Sequence, residues 1–112
     1  DSAHINNPLG GMGMNGGIHD GINLSEKIVS VWRGEAGDEA FDLYDRQRRP
    51  VAVEYVHKTT ISNKANLEEK DPELRRKRQD HLRRTSQDPV KAREFLLQSS
   101  MIKALEDAAA IE

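Results

Sequence analysis

The chain contains no cysteine. That removes disulfides and thiolate-held zinc or iron–sulfur sites, and it fits a reducing, cytoplasmic setting. Aromatic residues make up only 4% and hydrophobic residues 36% of the 112, against 32% charged. Amphipathic helices with wet outer faces suit that balance better than a thick β-sandwich. No apolar run approaches the ~20 residues of a membrane-spanning helix, and no signal-peptide pattern is present. Neither charge sign dominates: the net charge is −2, so no global basic field calls for nucleic acid. Missing too are a G-x-S-x-G elbow, a Walker loop and any catalytic serine or cysteine arrangement. A chain of this length makes one modest domain, able to bury about two thirds of its unfolded surface. It opens on Asp1 rather than methionine, and a glycine loop follows almost at once. We read it as a C-terminal portion of a longer protein.

What is present is concentrated near the start. Six of the eight glycines lie between Gly10 and Gly21. The pattern then becomes helical: Ile18, Ile22, Val29 and Trp32 recur near 3.6-residue spacing, with Leu24, Ile28 and Val31 widening the stripe. Glycines remove Cβ obstruction, and the first N–H groups of a helix lack intrahelical partners. A glycine loop feeding a helix therefore brings bare backbone against an anionic or electron-rich ligand.

The rest reads as helices. The first is expected to start between Gly13 and Gly16 and to run to Trp32 or Arg33, with Gly34 as its C′ stop. Asp38 is the expected N-cap of a second helix reaching roughly Glu69, carrying the stripe Phe41, Tyr44, Arg48, Val51 and Tyr55 as core or interface. Pro50 predicts a kink or a short break near Arg49–Pro50. Val51-Ala52-Val53 is the best strand candidate, but it lacks flanking turn signals. Asp71-Pro72 and Asp88-Pro89 each place an N-cap acid before an N1 proline. They predict a charged helix over Glu73–Arg84 and a last helix over Val90–Ala110, with Leu97, Met101, Leu105 and Ala108 on one face. The fold class is mainly α, in segments 1–34, 35–70 and 71–112.

Gly11-Met12-Gly13-Met14-Asn15-Gly16 spells G-x-G-x-x-G. The dinucleotide fingerprint requires a buried strand before it and a helix after it. The helix is there, but His4, Asn6, Asn7 and Pro8 make no buried strand. A flexible linker would carry serine where this stretch has Met12, Met14 and Ile18. His4, His19, His57 and His81 have no metal-ligand spacing. The basic run Arg75-Arg76-Lys77-Arg78 with Arg83-Arg84 is interleaved with no aromatic and flanked by acids, so it reads as a solvated face laced with ion pairs.

Asp1-Ser2-Ala3-His4, Asn7 through Asp20, Asn23-Leu24 and Glu26-Lys27 together resemble the second FAD-binding motif of the single-component flavoprotein aromatic hydroxylases. That group includes the para-hydroxybenzoate hydroxylase-like and 2-polyprenyl-6-methoxyphenol hydroxylase-like enzymes. Tyr44-Asp45-Arg46-Gln47-Arg48-Arg49-Pro50 resembles the helix that follows it. The likeness is specific over residues 1–50 and looser beyond. It implies a C-terminal fragment of an α/β FAD-binding, glutathione reductase-like fold. By the same resemblance, Asp1 bonds a ribityl hydroxyl of FAD, and the amides of Met14 and Asn15 approach the pyrimidine end of the flavin. Pro8, Gly10, Gly11 and Gly13 shape the loop beside the ring. The implied reaction is NAD(P)H-dependent reduction of FAD and hydroxylation of an aromatic ring with O₂.

The departures from that pattern are large. The N-terminal strand–GxGxxG–helix that holds the ADP half of FAD is missing, as are the substrate-roofing sheet and the glycine expected before Asp1. The resemblance therefore implies a chain that is inactive alone and that partners an N-terminal FAD-binding half or a second copy. The aromatic substrate belongs to the full enzyme only. From a different class, a stand-alone helical dimerisation module would pack the first and last helices against a second copy. A nucleic-acid binder acting through the basic run is the third reading.

Overall fold

The structure, a computed structural model, describes residues 3–6 and 8–112. All regular elements among them are helical. They are α1 (Met12–Trp32), α2 (Glu39–Val51), a π-helical turn (Ala52–His57), α3 (Lys58–Glu68), α4 (Pro72–Gln87), α5 (Pro89–Ser99) and α6 (Ile102–Ala109). The strand candidate Val51-Ala52-Val53 is thus helical: it joins the end of α2 to the π turn.

Helix α1 begins at Met12, slightly ahead of the expected start, because Gly11 at φ 67° turns the chain into it. It ends as the sequence predicts. Gly34 adopts φ 70°, its amide bonds Val31 O at 3.0 Å, and the Glu35 amide bonds Ser30 O at 2.9 Å. That is a Schellman termination. The expected N-cap of α2 differs. Asp38 has helical dihedrals and makes no side-chain cap. Instead Glu39 folds back and accepts from the Gly37 amide at 2.9 Å. Asp71 and Asp88 do cap α4 and α5, accepting from Glu73 N at 2.8 Å and Val90 N at 3.0 Å, with Pro72 and Pro89 opening each helix.

Two breaks shape the interior. After Pro50, which lacks an amide for the carbonyl of Arg46, the chain widens into the π turn. Val51 and Val56 are both buried. Five residues of α-helix would set them about 140° apart, and the wider turn brings them to one face. The expected single helix from Val90 to Ala110 splits at Met101, which sits at φ 63°. Ser99 and Ser100 both donate to Leu96 O, at 3.3 and 2.6 Å, and such back-bonding bends a helix. The break seats Met101, Ala104 and Ala108 in the core, while Leu105 is exposed.

The core is Met12, Val51, Val56, Met101, Ala104 and Ala108, with Tyr55 packed against it. It lies where the start of α1, the α2–π junction and α6 meet. Of the expected Phe41–Tyr55 stripe, Val51 and Arg48 are buried, Tyr44 and Tyr55 are half-buried, and Phe41 is exposed. Helix α4 contributes no buried residue. Its basic face is solvated: Lys77 pairs with Glu73 at 3.3 Å, and Arg78 donates to Asn66 O at 2.6 Å in the last turn of α3. No helix among the described residues is long and apolar enough to cross a membrane.

Candidate functional site

The glycine loop is built on two positive-φ residues. Gly10 has φ 122° and Gly11 φ 67°, and the Gly11 amide closes a turn onto Pro8 O at 3.1 Å. A Cβ on Gly10 would come within 2.9 Å of Asn63 Nδ2 on α3, so close backbone approach explains that glycine. A Cβ on Gly11 would meet nothing, because it faces open space. With Gly11 as N-cap and no side-chain cap, helix geometry leaves the amides of Met12, Gly13 and Met14 without intrahelical partners. No acid stands in the first turn. The positive end of the helix dipole is therefore uncompensated.

Pro8, Gly11, Gly13 and Met14 line one open concavity of about 360 Å³ together with Ile5 and Asn6. Met14 projects into solvent and Asn15 beside it is exposed, whereas Met12 turns inward to the core. Gly10 sits apart from them, against α3, in a larger groove of about 900 Å³ that also borders Asn63, Arg78, Leu82 and Phe95. The ribityl contact assigned to Asp1 lies outside the described residues.

Beneath the loop is a polar cluster that sequence reasoning missed. Arg48 Nε on α2 donates to Asp20 Oδ1 at 2.7 Å, and His4 Nδ1 meets Asp20 Oδ2 at 2.8 Å. An ionised carboxylate only accepts, so Nδ1 of His4 carries the proton. The Arg48 side chain is 3% exposed. Burial works against the charge of Asp20, but the hydrogen bonds from His4 and Arg48 and the guanidinium's charge prevail, holding its carboxyl below the ordinary value. Burial, then Arg48, push the neighbouring His19 imidazole down. Burial, then Asp20, push the Tyr44 hydroxyl up. The one signal for this cluster was Arg48 standing in an otherwise apolar stripe.

The same face continues along α1. Asn23 and Lys27 both donate to Gln47 Oε1, at 3.1 and 2.9 Å, and Gln47 donates to Ile111 O at 2.9 Å. The side of α1 turned to α2 is thus polar, while Ile18, Ile22, Val29 and Trp32 face outward. Among the described residues no group of acids and histidines could hold a metal ion.

Three comparisons bear on this geometry. The chain is 33% identical over 97 residues to a para-nitrophenol 4-monooxygenase of Pseudomonas, a match covering 87% of this chain and 24% of that protein. It is 46% identical over 59 residues to a pentachlorophenol 4-monooxygenase of Sphingobium chlorophenolicum, covering 53% of this chain and 11% of the relative. It is 52% identical over 52 residues to a putative polyketide hydroxylase of Streptomyces halstedii, covering 46% of this chain and 9% of the relative. The chain thus spans a quarter or less of these relatives. No solved structure matches it significantly. The model of the FAD binding domain family matches residues 1–59, taking in the glycine loop, the Arg48–Asp20–His4 cluster and the π turn. By that match, over more than half its length, the chain belongs to the FAD binding domain family.

Proposed function

We propose that this chain is the C-terminal, FAD-contacting portion of a flavin-dependent aromatic monooxygenase, belonging to an α/β fold of the glutathione reductase type. The observation that carries the reading is the coincidence of the family match with the concavity lined by Pro8, Gly11, Gly13 and Met14 at an uncapped helix N-terminus. These residues fit the cofactor: open backbone at Gly11 admits a flat ring, and unpaired amides at Met12 to Met14 offer donors to its carbonyl edge. Asn15 stands next to them, Gly10 shapes the loop from behind, and Asp1 is the sugar-hydroxyl acceptor. The relatives' names favour a phenol-like or polyketide aromatic substrate, bound by the full enzyme. FAD supplies the redox chemistry when bound, with NAD(P)H as reductant, and the protein orients the cofactor and keeps water out. A cysteine-free chain suits the cytoplasm, where NAD(P)H is available.

The test mixes the purified chain with FAD, removes free ligand, and records the visible flavin spectrum beside that of Met14→Pro. Proline is tolerated in a first helical turn, so this variant removes an amide without breaking α1. Wild type is expected to retain flavin and the variant to lose it. A wild-type chain that emerges colourless overturns flavin binding by this loop and helix alone, while the family membership stands.

The outward apolar stripe of α1 favours a second reading for the isolated chain, as a helical module that pairs with an N-terminal FAD-binding half or a second copy. It requires self-association or capture of that half. A monomer at every concentration in sedimentation, unchanged by the half-enzyme, excludes it.

A further inference from the structure

Asp20 joins three parts of the chain through one carboxylate. One oxygen takes Arg48 from α2, 28 residues on; the other takes His4, 16 residues back. The two links do different work. Arg48–Asp20 binds helix to helix, and a buried guanidinium demands a counter-charge wherever it stands. His4–Asp20 binds no helix to another. It ties down only the segment ahead of Pro8–Gly11, whose far end is α1 itself. Neighbouring contacts hold the same segment: Thr60 Oγ1 donates to Asn6 Oδ1 at 3.2 Å, and His57 Nε2 lies 3.5 Å from Ile5 O. The loop is thus a short bridge between His4 and Met12, with both ends fixed to one helix.

We propose that the Arg48–Asp20–His4 chain positions the glycine loop for its cofactor, setting FAD affinity from residues that do not touch FAD. The inference rests on the cofactor reading above and names the device within it. A bridge with both ends held has fewer shapes to lose when a ligand settles on it. Freeing the His4 end returns that disorder and leaves the α1–α2 pair in place. His4, Asp20 and Arg48 act as positioning residues, and the loop backbone makes the contacts.

The discriminating variants are His4→Ala, which removes the donor, and His4→Asn, whose amide can put an N–H near the place of Nδ1. Each chain is titrated with FAD by flavin fluorescence, and amide exchange at residues 8–14 is followed by mass spectrometry without ligand. His4→Ala is expected to weaken FAD binding about tenfold, to speed exchange at 8–14 and to leave the helical circular-dichroism signal unchanged; His4→Asn is expected to restore both. Wild-type affinity in His4→Ala overturns the inference while the cofactor reading stands, as does exchange equal to wild type. If wild type binds no FAD, the cofactor reading fails, and faster exchange in His4→Ala then supports only the ordering of the loop.

Discussion

Asp20 and Arg48 show how a single buried charge commits its neighbours. Removing one partner of a buried pair costs about 3–5 kcal/mol, because the other charge is left desolvated and unmatched. Asp20→Asn is therefore expected to lower the unfolding free energy from urea titration by an amount in that range, whereas His4→Ala leaves it near wild type. Acid should act on the same group. The folded carboxyl of Asp20 lies below its unfolded value of about 3.9. Its contribution is complete above that pH and is lost as pH falls through the lower folded value. Asp20→Asn should flatten the acid limb of a stability–pH curve; an unchanged limb would deny Asp20 that role. The two tyrosines offer an alkaline counterpart. Tyr55 donates to Asp107, and that bond, then burial, raises its pKa; burial, then Asp20, raises that of Tyr44. Stability from both hydroxyls is present below pH about 10 and lost as pH rises through the higher folded values. Absorbance titration of native chain should place both midpoints above those in denaturant.

At the scale of the element, Met101 weighs strain against burial. A non-glycine residue in the left-handed region costs about 1–2 kcal/mol. Deleting a buried methionine side chain costs about 2–5 kcal/mol. Met101 is 2% exposed, so burial wins and the break between α5 and α6 is held by the core it fills. Met101→Gly should relieve the strain yet still lower the melting temperature; a rise would mean that the strain outweighs the packing. The π turn obeys similar logic. It aligns Val51 with Val56 on the core and carries His57 toward the His4–Asn6 segment.

The whole molecule is long and thinly packed. It measures 59 × 29 × 17 Å with a radius of gyration of 17.4 Å, against about 13 Å for a compact chain of this length. Its accessible surface is 8226 Å², where a globular protein of its mass shows about 6,200 Å². Six of the exposed large apolar side chains lie on α1, ending in Trp32 at 89% exposure. Such a surface favours covering by another body. Sedimentation should show association rising with concentration, weakened by Trp32→Glu, and iodide quenching of the single tryptophan should fall as the chain associates. Equal quenching at all concentrations would mean that Trp32 is not in the contact.

Local chemistry determined what the sequence could disclose. The Gly34 termination and the Asp71-Pro72 and Asp88-Pro89 caps depend on residues a few places apart, so their signals survive without a fold. The FAD family was legible too, because its motif is nearly contiguous over residues 1–50. Tertiary structure decided what depends on distant partners. The spacing of Ile18, Ile22, Val29 and Trp32 marks an amphipathic helix, but only packing shows its polar face turned to α2, because Gln47 and Arg48 attract Asn23, Lys27 and Asp20. Widening the helix after Pro50 and splitting it at Met101 follow from a small core that rewards bringing Val56 and Met101 inward. Joining His4 to Arg48 through Asp20 required the fold, since a carboxylate has no preferred partner until burial makes leaving a charge alone too costly.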